Sequence, residues 1–221
     1  MRQVAVDRLL VGVALLSGAL AIASAPWALA QPWLNFAFKP LTTVLIIAYA
    51  WRRGHALPVV RRWVLLGLAC SLAGDIALMW PQQGFLPGLV CFLLAHVAYL
   101  VAFTRVQRLA ARPLWFAAYA AVAALILAWL WPGVPAPLRG PVVAYVVCLV
   151  AMAAQAAVLW RSGSARGGVL ALGGALFVVS DALLAANRFA APLPLSGLWI
   201  LASYWAAQWC IASWLPARHR S

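Results

Sequence analysis

The chain has 221 residues, of which 67% are hydrophobic and 9% charged, with a mean hydropathy of +0.98. Soluble globular domains carry about 25% charged and about 45–50% apolar residues, so this composition excludes a water-soluble fold. The 13 tryptophans exclude a disordered chain, because such chains are poor in aromatic residues. The formal net charge is +13, from 16 Lys and Arg against three carboxylates, which are Asp7, Asp75 and Asp181.

Eight apolar runs follow one another along the chain. A membrane-spanning helix needs about 20 mostly apolar residues, so the eight runs leave room only for short loops. The sequence therefore predicts an all-α, polytopic membrane helix bundle with eight transmembrane helices in a single domain over residues 1–221. The predicted spans are Leu9–Ala25, Phe36–Trp51, Trp63–Trp80, Leu86–Thr104, Leu114–Trp131, Pro141–Trp160, Gly168–Asn187 and Leu195–Leu215.

The cations alternate between the two sides of the predicted membrane. Thirteen arginines fall on one side, whereas only Lys39, Arg139 and Arg188 fall on the other. The positive-inside rule then places both termini in the cytoplasm, which an even number of spans satisfies. The arginines lie in separate short loops and form no continuous basic face, so nucleic acid is excluded as a partner. The thirteen are Arg2, Arg8, Arg52, Arg53, Arg61, Arg62, Arg105, Arg108, Arg112, Arg161, Arg166, Arg218 and Arg220.

Two features of the termini and the composition bear on localisation. The N-terminus, with Arg2, Arg8 and the small residues Ala23-Ser24-Ala25, also resembles a signal peptide whose removal would leave seven spans. The charge alternation favours a retained first span. A chain rich in Arg, Ala, Gly and Pro with a single Lys is typical of a GC-rich bacterial genome, so we expect a bacterial inner-membrane protein.

The two halves of the chain show a weak similarity. Gly74-Asp75-Ile76-Ala77-Leu78 corresponds to Ser180-Asp181-Ala182-Leu183-Leu184 at an offset of 106 residues. Both segments lie in the third span of a group of four, so a parallel 4+4 repeat with halves of about 1–110 and 111–221 is one interpretation. Chance similarity between apolar helices is the other.

Polar residues inside the predicted spans identify a candidate site, because an ionisable group in a membrane helix is costly and usually functional. All of them lie between the membrane midplane and the non-cytoplasmic side. Two carboxyl groups at matching depth in a low-dielectric site retain one proton between them, and acid catalysis requires a proton donor of this kind. The residues are Asp75 and Asp181 as candidate catalytic groups, with Lys39, His96, Tyr99, Arg188, Tyr204 and Gln208 as candidate substrate-binding groups.

Each of these residues also has a structural interpretation. The two aspartates could join helices through ion pairs with Lys39 and Arg188, and Lys39 could extend its amine to the interface. The polar side chains of the fourth and eighth spans could form hydrogen bonds between helices. The four cysteines lie inside apolar runs without C-x-x-C spacing, which indicates neither a metal site nor a disulfide framework.

Five motifs in this order resemble the YhhN family of lysoplasmalogenase-like membrane proteins. The similarity runs from about residue 36 to residue 210. The motifs are Lys39-Pro40-Leu41-Thr42-Thr43, Gly74-Asp75-x-x-Leu78-Met79, His96-x-x-Tyr99, Ser180-Asp181-x-x-Leu184 and Tyr204-x-x-x-Gln208.

The resemblance implies hydrolysis of the vinyl ether bond of a lysoplasmalogen to a fatty aldehyde and a glycerophospho-alcohol, without a cofactor. It would make a lysophospholipid the substrate and membrane lipid the other partner, and it leaves the oligomeric state open. On this hypothesis Asp75 and Asp181 act as general acid and as cation stabiliser or water activator. The alternative from another class is a proton-coupled transporter or lipid-flipping protein that uses the same two aspartates.

Overall fold

The computed structural model describes residues 2–25, 28–80 and 82–217, with side chains from residue 5 onward. Within these residues the chain forms eight α-helices and one 3₁₀ turn at Trp131–Gly133, which confirms the all-α, eight-helix prediction. Arg218 and Arg220 of the predicted cytoplasmic C-terminus lie outside the described residues. The helices are α1 Arg2–Ala23, α2 Pro32–Trp51, α3 Pro58–Ala77, α4 Phe85–Thr104, α5 Pro113–Leu130, α6 Ala136–Arg161, α7 Gly167–Phe189 and α8 Ser196–Trp214.

Prolines explain most of the differences between predicted and observed helix boundaries. α2, α3 and α5 begin at prolines, whose fixed φ and missing N–H suit the first helical position. The first two of these helices start four to five residues before the predicted spans. α6 begins at Ala136 and continues through Pro141, which was expected to be its first residue. A proline inside a helix removes one backbone hydrogen bond, and here the helix continues across it.

Six of the eight helices are long and apolar enough to cross a membrane, and they are α1, α2, α4, α5, α6 and α7. α3 and α8 have more polar compositions. α3 carries Arg61, Arg62 and Asp75, and α8 carries four tryptophans together with Tyr204 and Gln208. Both helices nevertheless pack inside the bundle, with α3 against α2 and α4, and α8 against α7, α2 and α1. That α3 and α8 also cross the membrane, which would make eight crossings in total, therefore remains a prediction.

The main helix contacts recur between the two halves of the chain. α1 packs on α2, α2 on α3 and α3 on α4, and the same sequence of contacts recurs from α5 to α8. The halves join where α4 packs on α6 and where α8 packs on α2. Each of these contacts therefore has a counterpart after a shift of four helices. The 4+4 repeat itself remains a prediction.

The helices differ strongly in burial. α6 lies at the centre, with a continuous buried segment from Met152 to Leu159. α5 lies at the periphery, and only Ala123 and Leu130 on it are buried. Such an apolar but exposed helix suits contact with lipid.

Glycines allow the closest helix contacts. A Cβ added to Gly67 of α3 would come within 2.6 Å of Cδ1 of Tyr99 on α4. On α7, a Cβ at Gly173 would lie 2.9 Å from Cβ of Cys210, and one at Gly174 would lie 3.0 Å from Cα of Ala153. α3 therefore fits against α4, and α7 against α8 and α6, because these positions carry no side chain.

We predict that Gly67→Ala lowers the stability of the fold. The added methyl group would overlap the buried Tyr99 ring, and overpacking of this kind costs about 1–3 kcal/mol. Thermal unfolding of the purified protein in detergent measures the effect as a lower melting temperature. Gly12→Ala is the matched control, because a Cβ at this exposed position of α1 meets no described atom within 4 Å. Equal melting temperatures for the two variants would contradict the predicted packing.

Candidate active site

Asp75 on α3 is held by side chains from two other helices, α2 and α8. Its Oδ2 accepts hydrogen bonds from Oγ1 of Thr43 on α2 at 2.6 Å and from the hydroxyl of Tyr204 on α8 at 2.8 Å. Its Oδ1 lies 3.9 Å from Nζ of Lys39 on α2. The Asp75 side chain is only 2% exposed. This carboxylate is therefore surrounded by donors and a cation, as a buried charge requires.

The hydrogen bonds continue from Asp75 across the bundle. Nε2 of Gln208 donates to the Tyr204 hydroxyl at 3.2 Å, and the hydroxyl of Tyr99 donates to Oε1 of Gln208 at 2.6 Å. The chain of bonds thus connects α2, α3, α8 and α4. We call Lys39, Thr43, Asp75, Tyr99, Tyr204 and Gln208 the Asp75 cluster.

Asp181 on α7 has a different environment. Its Oδ2 accepts a hydrogen bond from the hydroxyl of Tyr145 on α6 at 2.7 Å and lies 3.9 Å from Nε2 of His96 on α4. The Asp181 side chain is 15% exposed, considerably more than that of Asp75. We call Asp181, Tyr145 and His96 the Asp181 cluster.

His96 is fully buried, and within the described residues neither of its ring nitrogens has a hydrogen-bond partner. Its ring packs edge-on against Tyr145 and Phe177, at centroid distances of 5.2 and 5.0 Å. Buried polar atoms are nearly always hydrogen-bonded. The unpartnered nitrogens beside Asp181 therefore indicate a position that binds a polar group.

The two clusters are neighbours separated by aromatic rings. Phe177 lies between them, with ring centroids 5.0 Å from His96 and 5.8 Å from Tyr204. Phe92 also packs edge-on against Tyr204, at 5.7 Å. The structure thus brings the sequence-predicted residues from α2, α3, α4, α7 and α8 to one region, and it divides them between two carboxylates.

A cavity opens beside one of the two carboxylates. It lies between α4, α5, α6 and α7, and its walls are almost entirely aliphatic and aromatic. Asp181 and Tyr145 both line it, and Asp181 is the only charged group among the described residues that do so. Asp181 therefore faces a space suited to a hydrocarbon chain, whereas Asp75 lies outside it.

The two cations predicted to accompany the aspartates occupy different places. Lys39 is buried beside Asp75. Arg188 is exposed in the last turn of α7, with its guanidinium carbon 5.1 Å from the ring centroid of Phe85. Phe85 lines the cavity, so Arg188 lies at the outer rim of that space.

Sequence reasoning missed Tyr145 as a site residue. A search for polar groups within the spans could have found it, since Tyr145 and Gln155 are the polar side chains of an otherwise apolar run in α6. Gln155 has a structural task, because its side chain bonds the backbone of Gln107, Arg108 and Ala110 in the loop between α4 and α5. Among the described residues, no group of three or more His, Cys, Asp or Glu side chains is placed to hold a metal ion.

The sequence comparisons agree with the motifs. The model of the YhhN family matches residues 34–215. The chain is 39% identical to lysoplasmalogenase TMEM86B of Homo sapiens over 64% of its own length and 58% of that protein. It is 32% identical to lysoplasmalogenase of Mycobacterium tuberculosis over 71% of its own length and 60% of that protein. The matches thus span less than two thirds of these relatives. No solved structure matches the chain.

We predict that Tyr204→Phe destabilises the bundle. The change removes the hydroxyl that donates to Asp75 and accepts from Gln208, and it leaves both partners buried. Leaving buried polar groups unsatisfied costs about 1–3 kcal/mol, which thermal unfolding in detergent measures as a lower melting temperature. Tyr119→Phe, on the peripheral helix α5, is the matched control. If Tyr204→Phe has the same melting temperature as the wild type, the Asp75 cluster does not hold the helices together.

Proposed function

The chain belongs to the YhhN family, and we propose that it is a lysoplasmalogenase that hydrolyses the vinyl ether bond of a lysoplasmalogen. The products would be a fatty aldehyde and a glycerophospho-alcohol. The observation that best supports this proposal is the position of Asp181. It is a carboxyl group, 15% exposed, at the wall of an apolar cavity, next to a tyrosine hydroxyl and an unpartnered histidine.

The cavity wall supplies what the first chemical step needs. A vinyl ether is hydrolysed by protonation of its outer alkene carbon, which requires an acid in contact with an apolar chain. Oδ2 of Asp181 accepts a hydrogen bond from the Tyr145 hydroxyl. The proton of the carboxylic acid therefore resides on the other oxygen, Oδ1. Proton transfer from Oδ1 uses the alkene electron pair to form the new C–H bond. It leaves a carbocation stabilised by the ether oxygen, beside an ionised Asp181.

Water then completes the reaction. A water molecule held by a His96 nitrogen attacks the cationic carbon and returns a proton to Asp181. The resulting hemiacetal collapses to the aldehyde when the C–O bond to glycerol breaks and the glycerol oxygen takes up a proton. One water is consumed, and the carboxylic acid is regenerated. Among the candidate substrate-binding groups, His96 lies beside Asp181, whereas Tyr99 and Tyr204 belong to the Asp75 cluster.

Asp75 has a supporting role in this mechanism. Two hydroxyl donors and Lys39 keep this carboxylate ionised. One of the donors, Tyr204, packs against Phe177, which in turn packs against His96 of the Asp181 cluster. The negative charge of Asp75 stabilises the nearby carbocation, because electrostatic interactions are strong where water is excluded. Asp181 is thus the acid, and Asp75 is the cation stabiliser.

The same proposal includes an orientation in the membrane. In this orientation, which the alternation of cations supports, both termini lie in the cytoplasm and the mouth of the cavity opens on the opposite side of a bacterial inner membrane. Lysophospholipid in the outer leaflet would then reach the site directly.

We predict that both aspartate variants lose activity by different routes. Asp181→Asn removes the acid and should lower kcat for aldehyde release from lysoplasmenylethanolamine by roughly 10²–10⁴-fold, with little change in melting temperature. Asp75→Asn leaves Lys39 buried without its counter-charge, so both activity and melting temperature should fall. Asp7→Asn is the control, because Asp7 pairs with Arg52 and Arg53 at the far end of the bundle.

The assay uses purified protein in detergent and measures aldehyde directly. An enzyme releases aldehyde without a sealed membrane, whereas a proton-coupled transporter or lipid-flipping protein does not. Full turnover by Asp181→Asn would refute the mechanism, and the absence of aldehyde from wild-type protein with both ethanolamine and choline substrates would refute the proposed function.

We predict that fusions at the C-terminus report a cytoplasmic location. A C-terminal green fluorescent protein should fluoresce in bacterial cells, and a C-terminal alkaline phosphatase should be inactive, because the former folds in the cytoplasm and the latter outside it. The reciprocal fusion after Gly140, near the start of α6, is the control and should give an active phosphatase. The opposite pattern would invert the proposed orientation.

A further inference from the structure

The apolar cavity runs along the bundle axis on the outer half of four helices. On α5 its lining residues are Ala123, Ile126, Leu127 and Leu130, which recur at the spacing of one helix face. The lining residues of α4 begin at Phe85 and those of α7 end at Phe189, and both phenylalanines lie at the predicted non-cytoplasmic ends. The lining segments of the four helices contain eight to twelve residues each, and the rise from the first to the last corresponds to a length of roughly 10–16 Å.

Asp181 lies near the inner end of this cavity. It is eight residues from Phe189, the lining residue at the rim of α7, which places it about 12 Å below that rim. Ala123 is seven residues from Leu130 on α5, so Ala123 and Asp181 lie at similar depths. The small side chain of Ala123 thus leaves space at the level of the carboxyl group.

Two arginines flank the outer mouth. The guanidinium of Arg188 stacks on Phe85, and Nε of Arg139 donates to the backbone carbonyl of Val134 at 3.3 Å. Phe85 and Val134 both line the cavity, and both arginines are exposed. Arg139 also lies 5.1 Å from the ring centroid of Trp131, so contacts on two sides hold its side chain in place.

These are two of the three cations that the sequence places on the non-cytoplasmic side. The third, Lys39, is buried against Asp75 and lies away from the mouth. Positive charge on the outer side is therefore concentrated where the apolar cavity opens. Guanidinium groups bind phosphate oxygens through paired, charge-assisted hydrogen bonds.

We propose that this cavity binds a single-chain phospholipid, with its phosphate on Arg139 and Arg188 and the start of its chain beside Asp181. Arg139 is then a headgroup-binding residue that no sequence motif identified, whereas Lys39, a candidate substrate-binding group in the sequence, is buried beside Asp75. Arg188 and Asp181 are seven residues apart on one face of α7, a rise of about 10 Å that the glycerol unit spans. The identity of the lipid as a lysoplasmalogen rests on the proposed function, whereas the location of the lipid does not.

α5 forms the wall between this site and the bilayer. α4, α6 and α7 form a packed group, in which α6 contacts both of the others, whereas α5 packs only along α6, α7 and the 3₁₀ turn among the described elements. Its opposite face is exposed, as Ala124 and Leu125 show. The chain of the lipid therefore leaves the cavity into the membrane beside α5.

Photolabelling of wild-type protein in lipid nanodiscs tests the location directly. The probe is a saturated 1-O-alkyl lysophosphatidylethanolamine with a diazirine near the ether end of its chain, which lacks the hydrolysable double bond. The label should fall on the segments 123–130 of α5 and 178–189 of α7, and excess lysoplasmenylethanolamine should displace it. Label confined to other helices, or label that is not displaced, would overturn the proposal.

Arginine variants test the headgroup contact. Arg139→Gln and Arg188→Gln should each raise the KM for lysoplasmenylethanolamine about tenfold, the effect of losing one charge-assisted hydrogen bond, without changing the KM for alkenylglycerol, which has no phosphate. Arg161→Gln is the matched control, since Arg161 is an exposed arginine that stacks on Trp160 at the opposite end of the bundle. Equal effects on both substrates would overturn the phosphate contact. Displacement of the photolabel by inorganic phosphate at the concentration of the competing lipid would overturn the lipid as the occupant, because it would indicate a site for free anions.

Substitutions at two adjacent alanines of α5 test whether this helix forms the wall of the lipid site. Ala123→Phe should reduce photolabelling at least tenfold by filling the space beside Asp181, whereas Ala124→Phe, one position away and facing outward, should leave it unchanged. Ala123→Val serves if the larger variant fails to fold and should give an intermediate reduction. Equal labelling of the Ala123 and Ala124 variants would contradict the proposal.

Labelling in the cavity without aldehyde release would refute only the enzymatic function, and aldehyde release with label elsewhere would refute only the lipid site.

Discussion

Two carboxyl groups buried among apolar helices impose the main constraint on this protein. A carboxylate removed from water must be neutralised or surrounded by donors, and both Asp75 and Asp181 take their donors from other helices. Thr43, Lys39 and Tyr204 reach Asp75 from α2 and α8, and Tyr145 reaches Asp181 from α6. The packing of α2, α3 and α8 on one side, and of α4, α6 and α7 on the other, therefore depends on these bonds as well as on close contacts at glycines.

The two carboxyl groups have different environments, and this difference suits them to different chemical roles. Asp75 has several partners and almost no exposure, whereas Asp181 has one firm donor, a histidine at 3.9 Å and one side open to an apolar cavity. Two acids in unlike environments can hold different charge states at the same pH, which is how paired carboxyl groups divide the tasks of acid and cation stabiliser. A symmetric pair sharing one pocket would give no such division. The proposed roles follow from this asymmetry.

The sequence was most informative where the physics is local. Helix count and the polar positions inside the helices depend on composition and spacing, and these agree with the structure. The sequence was less informative on contacts between helices. The buried location of Lys39, the cavity-lining hydroxyl of Tyr145 and the position of Arg139 near the cavity mouth depend on how α2, α6 and the turn before α6 pack.

The sequence by itself determined that this chain is an eight-helix membrane protein with two carboxyl groups among its helices, and it predicted most of its cations on one side. Hydropathy and charge are sums over residues, so their distribution along the chain is sufficient for these conclusions. Only the tertiary structure decided which helices surround each aspartate and which aspartate faces the cavity. These properties arise from distances between residues that are remote in sequence, because Asp75 and Tyr204 are separated by 129 positions and meet through a single hydrogen bond.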